Sequence, residues 1–197
     1  MIVTERLMLR PFETADLPAF VAYRSDPRVA AYQSWDADYA LEDAERFLAE
    51  QRGPELGLPG AWVQLAITDR ADGTLFGDCA VHVAGAQPAT AEIGITLARQ
   101  SQGRGVAAEA LQGLLAALFD EHAMHRVYAE ADDRNESVHR LLERLGLRLE
   151  GRLVEADWFK GEWTTLRIYA LLAREWKARA RPAAPEVTAG DPRARPG

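Results

Sequence analysis

The sequence predicts a mixed α/β (α+β) fold with a largely antiparallel central sheet, and three observations carry that expectation. Three strand-like runs, 61–69, 74–84 and 91–98, follow one another through short joints, as in an antiparallel meander. A helix–strand–helix–strand alternation then fills 106–154. The 197 residues are 48% hydrophobic and 27% charged, the balance of one soluble domain with a sizeable core.

The elements follow in chain order. TERLMLRP (4–11) alternates apolar and polar side chains in part and reads as a first strand. Thr14 is suited to cap a helix over 15–25, with Asp16 and Pro18 in its first turn; Asp26 and Pro27 interrupt it. A second helix spans 41–51, with Leu41, Ala44, Phe47 and Leu48 on one face. GPELGLPG (53–60) is loop by composition, and RADG (70–73) is the turn between the first two meander strands. Beyond the meander come a helix at 106–121, a strand at 127–131, a helix at 136–145 and a strand at 148–154. A last hairpin turns at Lys160-Gly161 and ends in TTLRIYALLA. Residues 1–177 are therefore expected to form one domain. The stretch 178–197, with four prolines and few apolar groups, is expected to be a disordered tail.

Several functions are disfavoured at once. No run approaches the ~20 apolar residues that a membrane helix needs, and MIVTERLMLRPFE carries charge where a signal peptide is apolar. A cytoplasmic location with no membrane partner is the expectation. The net charge of −7 opposes binding to nucleic acid. Cys79 is the only cysteine, which excludes an intrachain disulfide, and His82, His122, His125 and His139 show no ligand spacing apart from His122 and His125 at the end of an apolar helix, so no metal is expected.

The most informative stretch is RQSQGRGVAAE (99–109). Gly103 and Gly105 stand where a helix begins. A helix N-terminus presents unpaired N–H groups and partial positive charge, and glycine lets a phosphate approach them. Arg104 adds a cation. A plain turn is the competing reading. The spacing G-x-x-x-x-G-K-[ST] is absent, and G-x-G-x-x-G is incomplete because Ala108 follows Gly103-x-Gly105.

A third pattern does match. Gln100–Gly105 has the form [RQ]-x-x-G-x-[GA], and it resembles the acetyl-CoA pyrophosphate loop of the GNAT superfamily of N-acetyltransferases. AEIGITLARQSQGRGVAAEAL resembles that superfamily's fourth strand, loop and third helix. RNESVHRLLERLGLRLEG resembles its later strand exit, fourth helix and sixth strand. The opening TERLMLRPFETADLPAF and the closing WFKGEWTTLRIYALLAREW resemble the branch that holds ribosomal-protein N-terminal acetyltransferases of the RimJ and RimL type and many small-molecule acetyltransferases. The resemblance spans about Thr4–Trp176 and implies a sheet of about seven strands flanked by about four helices. It also implies acetyl-CoA as co-substrate and an amine acceptor, either a small molecule or a protein N-terminus.

The resemblance assigns roles residue by residue. The amides of Gln102, Gly103, Arg104, Gly105, Val106 and Ala107 are expected to hold the pyrophosphate. Backbone groups near Ile95 and Leu97 are expected to meet the thioester and pantetheine, where the family splays two strands apart. Asn135 resembles a pantetheine-binding asparagine and is equally suited to cap the following helix. Glu92 is the candidate base, or else a fixed charge that draws the amine; Asp78 is the weaker alternative. Ser137 resembles a serine that hydrogen-bonds the leaving thiolate. Many relatives place a tyrosine acid where this chain has Leu142, so that proton source is missing. Tyr32 and Trp35 are candidate walls of the acceptor pocket. Trp158 and Trp163 suit a second wall, a homodimer contact or core packing. A non-catalytic acyl-CoA sensor on the same fold is the alternative function.

Overall fold

The alternating apolar positions of 63–97 produce the expected meander, extended at both ends into one large sheet. The computed structural model describes residues 1–51, 53–87 and 89–179. Within them lie β1 (Ile2–Val3), β2 (Leu7–Pro11), β3 (Val63–Asp69), β4 (Leu75–Val83), β5 (Thr90–Leu97), β6 (Arg126–Asp132), β7 (Arg148–Phe159) and β8 (Glu162–Leu172). These eight strands form a single sheet of order β1-β2-β3-β4-β5-β6-β8-β7. Every neighbouring pair is antiparallel except β5–β6, which is parallel.

The eighth strand, Ile2–Val3, lies ahead of the predicted 4–11 strand, whose first residues form a turn while Leu7–Pro11 form β2. Thr4 donates its N–H to the Leu7 carbonyl at 2.9 Å, and its hydroxyl accepts the Leu7 N–H at 3.0 Å. That closes Thr4–Leu7 and folds Ile2–Val3 back onto β2.

Six α-helices are described: α1 (Leu17–Arg24), α2 (Pro27–Ala30), α3 (Leu41–Glu50), α4 (Val106–Ala116), α5 (Glu136–Arg144) and α6 (Ala173–Arg179). A 3-10 turn, Thr14–Asp16, precedes α1, and the local cap is the Asp16 carboxylate accepting the Glu13 N–H at 2.8 Å, rather than Thr14. A π-helical turn, Ala117–Glu121, continues α4. α6 runs two residues past the expected domain end at 177; the remainder of the expected tail, 180–197, lies outside the described residues.

Strand alternation divides the core. One face carries Leu65, Ile67, Cys79, Val81 and Ile93 against Val106, Leu111 and Leu114 of α4 and Leu142 of α5. Burial of a leucine such as Leu111, 1% exposed, stabilises the packing by about 1.5–3 kcal/mol. The opposite face carries Ala66 and Ala98 against Phe12, Phe20 and Tyr23, with Ala44 of α3. Two packed layers thus flank the sheet on either side of its parallel β5–β6 joint. No helix among the described residues is long and apolar enough to cross a membrane.

Candidate active site

The glycine loop adopts the geometry its composition allows. Gly103 and Gly105 have φ of 71° and 79°, the left-handed region that side chains disfavour. Gly105 is the residue preceding α4, so the N–H groups of Val106 and Ala107 have no carbonyl of their own helix to bond. Among the described residues, a Cβ built on Gly103 would meet nothing within 4 Å, and one on Gly105 would meet Arg6 Nη2 at 3.4 Å. The backbone is thus bare toward open space, as an anion cradle requires.

The helix start is anchored from behind by a residue the sequence reading passed over. Glu109, in the first turn of α4, accepts the Thr4 hydroxyl at 2.6 Å, the Arg6 N–H at 2.7 Å and Arg6 Nε at 2.7 Å. Partial burial raises its pKa, but these bonds outweigh it and hold the carboxyl below its usual range. An acidic side chain in a first turn was the available signal. Arg6 also donates to the Arg104 carbonyl at 3.3 Å. The Arg104 guanidinium lies 5.7 Å from the Phe76 ring centroid, and it does not line the cleft described next.

The sheet opens at β5–β6. Their parallel pairing holds for three rungs, Thr90↔Arg126, Ala91↔Val127 and Glu92↔Tyr128, and then stops. β5 continues along β4 to Leu97, while β6 follows β8 to Asp132. The direction of the freed groups follows from two bonds to β4 and its extension: Ala98 N–H to the Phe76 carbonyl at 2.8 Å, and Ala84 N–H to the Thr90 carbonyl at 3.3 Å. Antiparallel alternation then turns the peptide groups of Glu92, Gly94 and Thr96 toward β4 and those of Ile93, Ile95 and Leu97 toward the opening. Gln102 Nε2 donates to the Leu97 carbonyl from that side at 3.1 Å.

A cleft of about 480 Å³ joins the two features. Ile95, Leu97, Gln102, Gly103, Gly105, Val106, Ala107, Asn135 and Ser137 all line it, together with Tyr32. Trp35 and Asp78 do not. Trp35 stacks on the Arg24 guanidinium at 3.7 Å and sits beside a separate surface hollow with Asp36 and Asp38. Asp78 is 1% exposed; it accepts the Tyr23 hydroxyl and Gln64 Nε2, with Arg24 4.0 Å away. α1 covers that part of the face, and burial pushes the Asp78 carboxyl up. Asn135 fulfils its capping role: its side-chain oxygen accepts from the Val138 N–H at 3.4 Å and from the Ser137 hydroxyl at 2.8 Å.

Residues 6–148 match the family described as acetyltransferase (GNAT) domain. This chain belongs to the GNAT acetyltransferase family. It is 29% identical to the uncharacterized N-acetyltransferase p20 of Bacillus licheniformis over 175 residues, covering 89% of this chain and 97% of p20. A GNAT-family acetyltransferase structure from Bacillus anthracis superposes with a TM-score of 0.79 at 28% identity, covering 88% and 99% of the two chains. The spermidine N-acetyltransferase of Vibrio cholerae, in complex with CoA and spermine, shares the fold with a TM-score of 0.76 at 21% identity, with the same coverage.

GNAT enzymes take acetyl-CoA as acyl donor, and the site fits that donor. The cleft offers bare amides at Gly103–Ala107 for the diphosphate and strand peptide groups along an elongated opening for the pantetheine arm. On the far side of this GNAT sheet, Glu92 Oε2 accepts the Tyr128 hydroxyl at 3.0 Å. Burial and then Glu92 push the Tyr128 phenol up to about 12, so it remains a donor. Leu142 lines a smaller cavity between the diverging strands, where it offers no proton. Trp158 and Trp163 are 60% and 59% exposed with centroids 5.3 Å apart, which excludes core packing.

Proposed function

We propose that the protein transfers the acetyl group of acetyl-CoA directly to a primary amine. The observation that carries this reading is continuity: the glycine cradle and the opening between β5 and β6 line one cleft. Such a cleft aligns a thioester with an amine arriving from the opposite face, which is the positioning that direct transfer needs.

In this reading the amides of 102–107 hold the diphosphate, and Asn135 supplies its amide N–H₂ to the pantetheine arm. The Ile95 and Leu97 peptide groups meet the carbonyl end, where an N–H stabilises developing negative charge. Glu92, fixed by Tyr128, draws the ammonium toward that end. Ser137 serves the departing sulfur after its hydroxyl turns away from Asn135, breaking a 2.8 Å hydrogen bond.

The acceptor is proposed as an ammonium-bearing molecule, either a small amine or a protein N-terminus. The carboxylate of Glu130, with those of Glu92 and Asp157 acting on it, favours the cation. The RimJ/RimL-like opening and closing stretches keep the N-terminus as an acceptor class. A sensor reading has one observation in its favour, Leu142 in place of a proton donor.

Full-length protein with acetyl-CoA and a panel of polyamines, aminoglycosides, amino acids and serine-initiated peptides, read by thiol release, separates the two. Release that requires both acetyl-CoA and a particular amine is the expected result. Tight CoA binding with no release across the panel would leave the sensor.

A further inference from the structure

We propose that Glu130, rather than Glu92, takes the proton from the incoming ammonium at the mouth of the β5–β6 opening. This assignment rests on the acetyltransferase reading above. Strand alternation puts Glu92 of β5 and Tyr128, Glu130 and Asp132 of β6 on the same face of the sheet. Glu92 belongs to the last closed rung, Glu92↔Tyr128, and its carboxylate already receives the tyrosine hydroxyl. It lies before the opening and lines neither the cleft nor its extension.

Two residues further along β6, the geometry changes. The corresponding position on β5 is Gly94, which has no side chain, and its neighbour across β4 is Ala80; a Cβ on Gly94 would stand 3.8 Å from the Ala80 Cβ. Small groups therefore leave room on this face just where the strands part. A cavity of about 120 Å³ occupies the parting, lined by Gly94, Glu130, Asn135 and Leu142, and it shares Tyr32, Ile95 and Asn135 with the larger cleft. Glu130 is thus the carboxylate placed where a thioester threaded between the strands emerges.

The second carboxylate lining that cavity, Asp132, is committed: Arg134 Nη2 and Nε donate to it at 2.7 and 2.9 Å. Arg134 also pairs with Glu162, and Arg126, the other cation beside Tyr128, pairs with Glu150 at 2.6 Å. The charges that act on Glu130 are Glu92 from β5 and Asp157 from β7, both negative; Tyr128 shares its face of the sheet, and Tyr32 lines the same cavity. Glu130 is exposed at the cavity mouth, and the desolvation that remains there together with these two carboxylates pushes it up, in the direction that favours taking a proton.

Glu130 accepts one proton from R–NH₃⁺, and the freed lone pair forms the C–N bond to the acetyl carbonyl carbon. The C–S bond breaks, the thiolate takes the second N–H proton, and Glu130 returns its proton to water.

The test compares wild type, Glu130→Gln and Glu92→Gln with acetyl-CoA and two acceptors, spermidine and a serine-initiated peptide, from pH 6.5 to 9.5. Glu130→Gln is expected to retain CoA affinity and melting temperature. Its kcat/KM should fall about 100-fold at pH 7, and the loss should shrink at least ten-fold by pH 9.5 as solution supplies neutral amine. Glu92→Gln should lose less, by a factor that pH leaves flat. A Glu130→Gln enzyme matching wild type at every pH, or a pH-rescued loss in Glu92→Gln alone, would overturn the assignment while leaving the acetyltransferase reading intact. A wild type that turns over neither acceptor would overturn the assignment together with the reading for those amines.

Discussion

Gly103 is the residue at which backbone conformation and ligand access make the same demand. Its φ of 71° disfavours any side chain by roughly 1–2 kcal/mol, yet nothing among the described residues would touch a Cβ there. A Gly103→Ala variant should therefore fold with a modestly lower melting temperature and bind CoA at least ten-fold more weakly by calorimetry. Unchanged affinity would remove the diphosphate role from this loop. The loop's conformation at the start of α4 was legible because glycine spacing before an apolar helix is a local signal. Asp78 was not, although alternation places it on the same face as Glu92. Which stretch of that face α1 covers, with Tyr23 and Arg24 above Asp78, depends on contacts 55 residues apart in the chain. Glu130 was missed for a related reason: its importance comes from where β6 leaves β5, and no local pattern marks that point.

The β7–β8 hairpin illustrates how an element read only as a turn acquires a function from its tip. Lys160, at the turn with φ of 48°, donates to the carbonyls of Ala30 at 2.9 Å and Trp35 at 2.7 Å, and pairs with Asp36 at 3.3 Å. It ties the hairpin to both ends of the 30–36 segment, which carries Tyr32 into the cleft. Hydrogen bonds from a charged donor are worth about 1.5–3 kcal/mol when both groups are well ordered. A Lys160→Met variant should loosen this segment: the acceptor KM should rise about three- to ten-fold, with kcat and CoA affinity near wild type. An unchanged acceptor KM would show that the segment does not shape the acceptor side. α5 is simpler, since Asn135 caps it as its sequence indicates and Leu142 fills the cavity from its buried face.

Across the whole molecule, one parallel joint in an otherwise antiparallel sheet marks where the proposed site lies. The meander was legible from alternation and turn residues, and the later helices from their spacing. The count of strands and the splay were not. Ile2–Val3 is too short to show periodicity, and β7 runs unbroken to Phe159 through register shifts that local patterning does not reveal. The splay is a property of strand pairing; the sequence resemblance implied it, and the three-rung β5–β6 ladder shows it. The layers on either face, α4 and α5 on one and α1 and α3 on the other, flank a cleft and a smaller cavity that share Tyr32, Ile95 and Asn135 where β5 and β6 part. The most direct check is a crystal structure of the protein with acetyl-CoA bound. The diphosphate should contact the N–H groups of Gly103–Ala107, and the pantetheine should lie between Ile95 and Asn135 with its acetyl group facing Glu130. A coenzyme bound elsewhere, or a β5–β6 ladder zipped closed past Glu92, would contradict it.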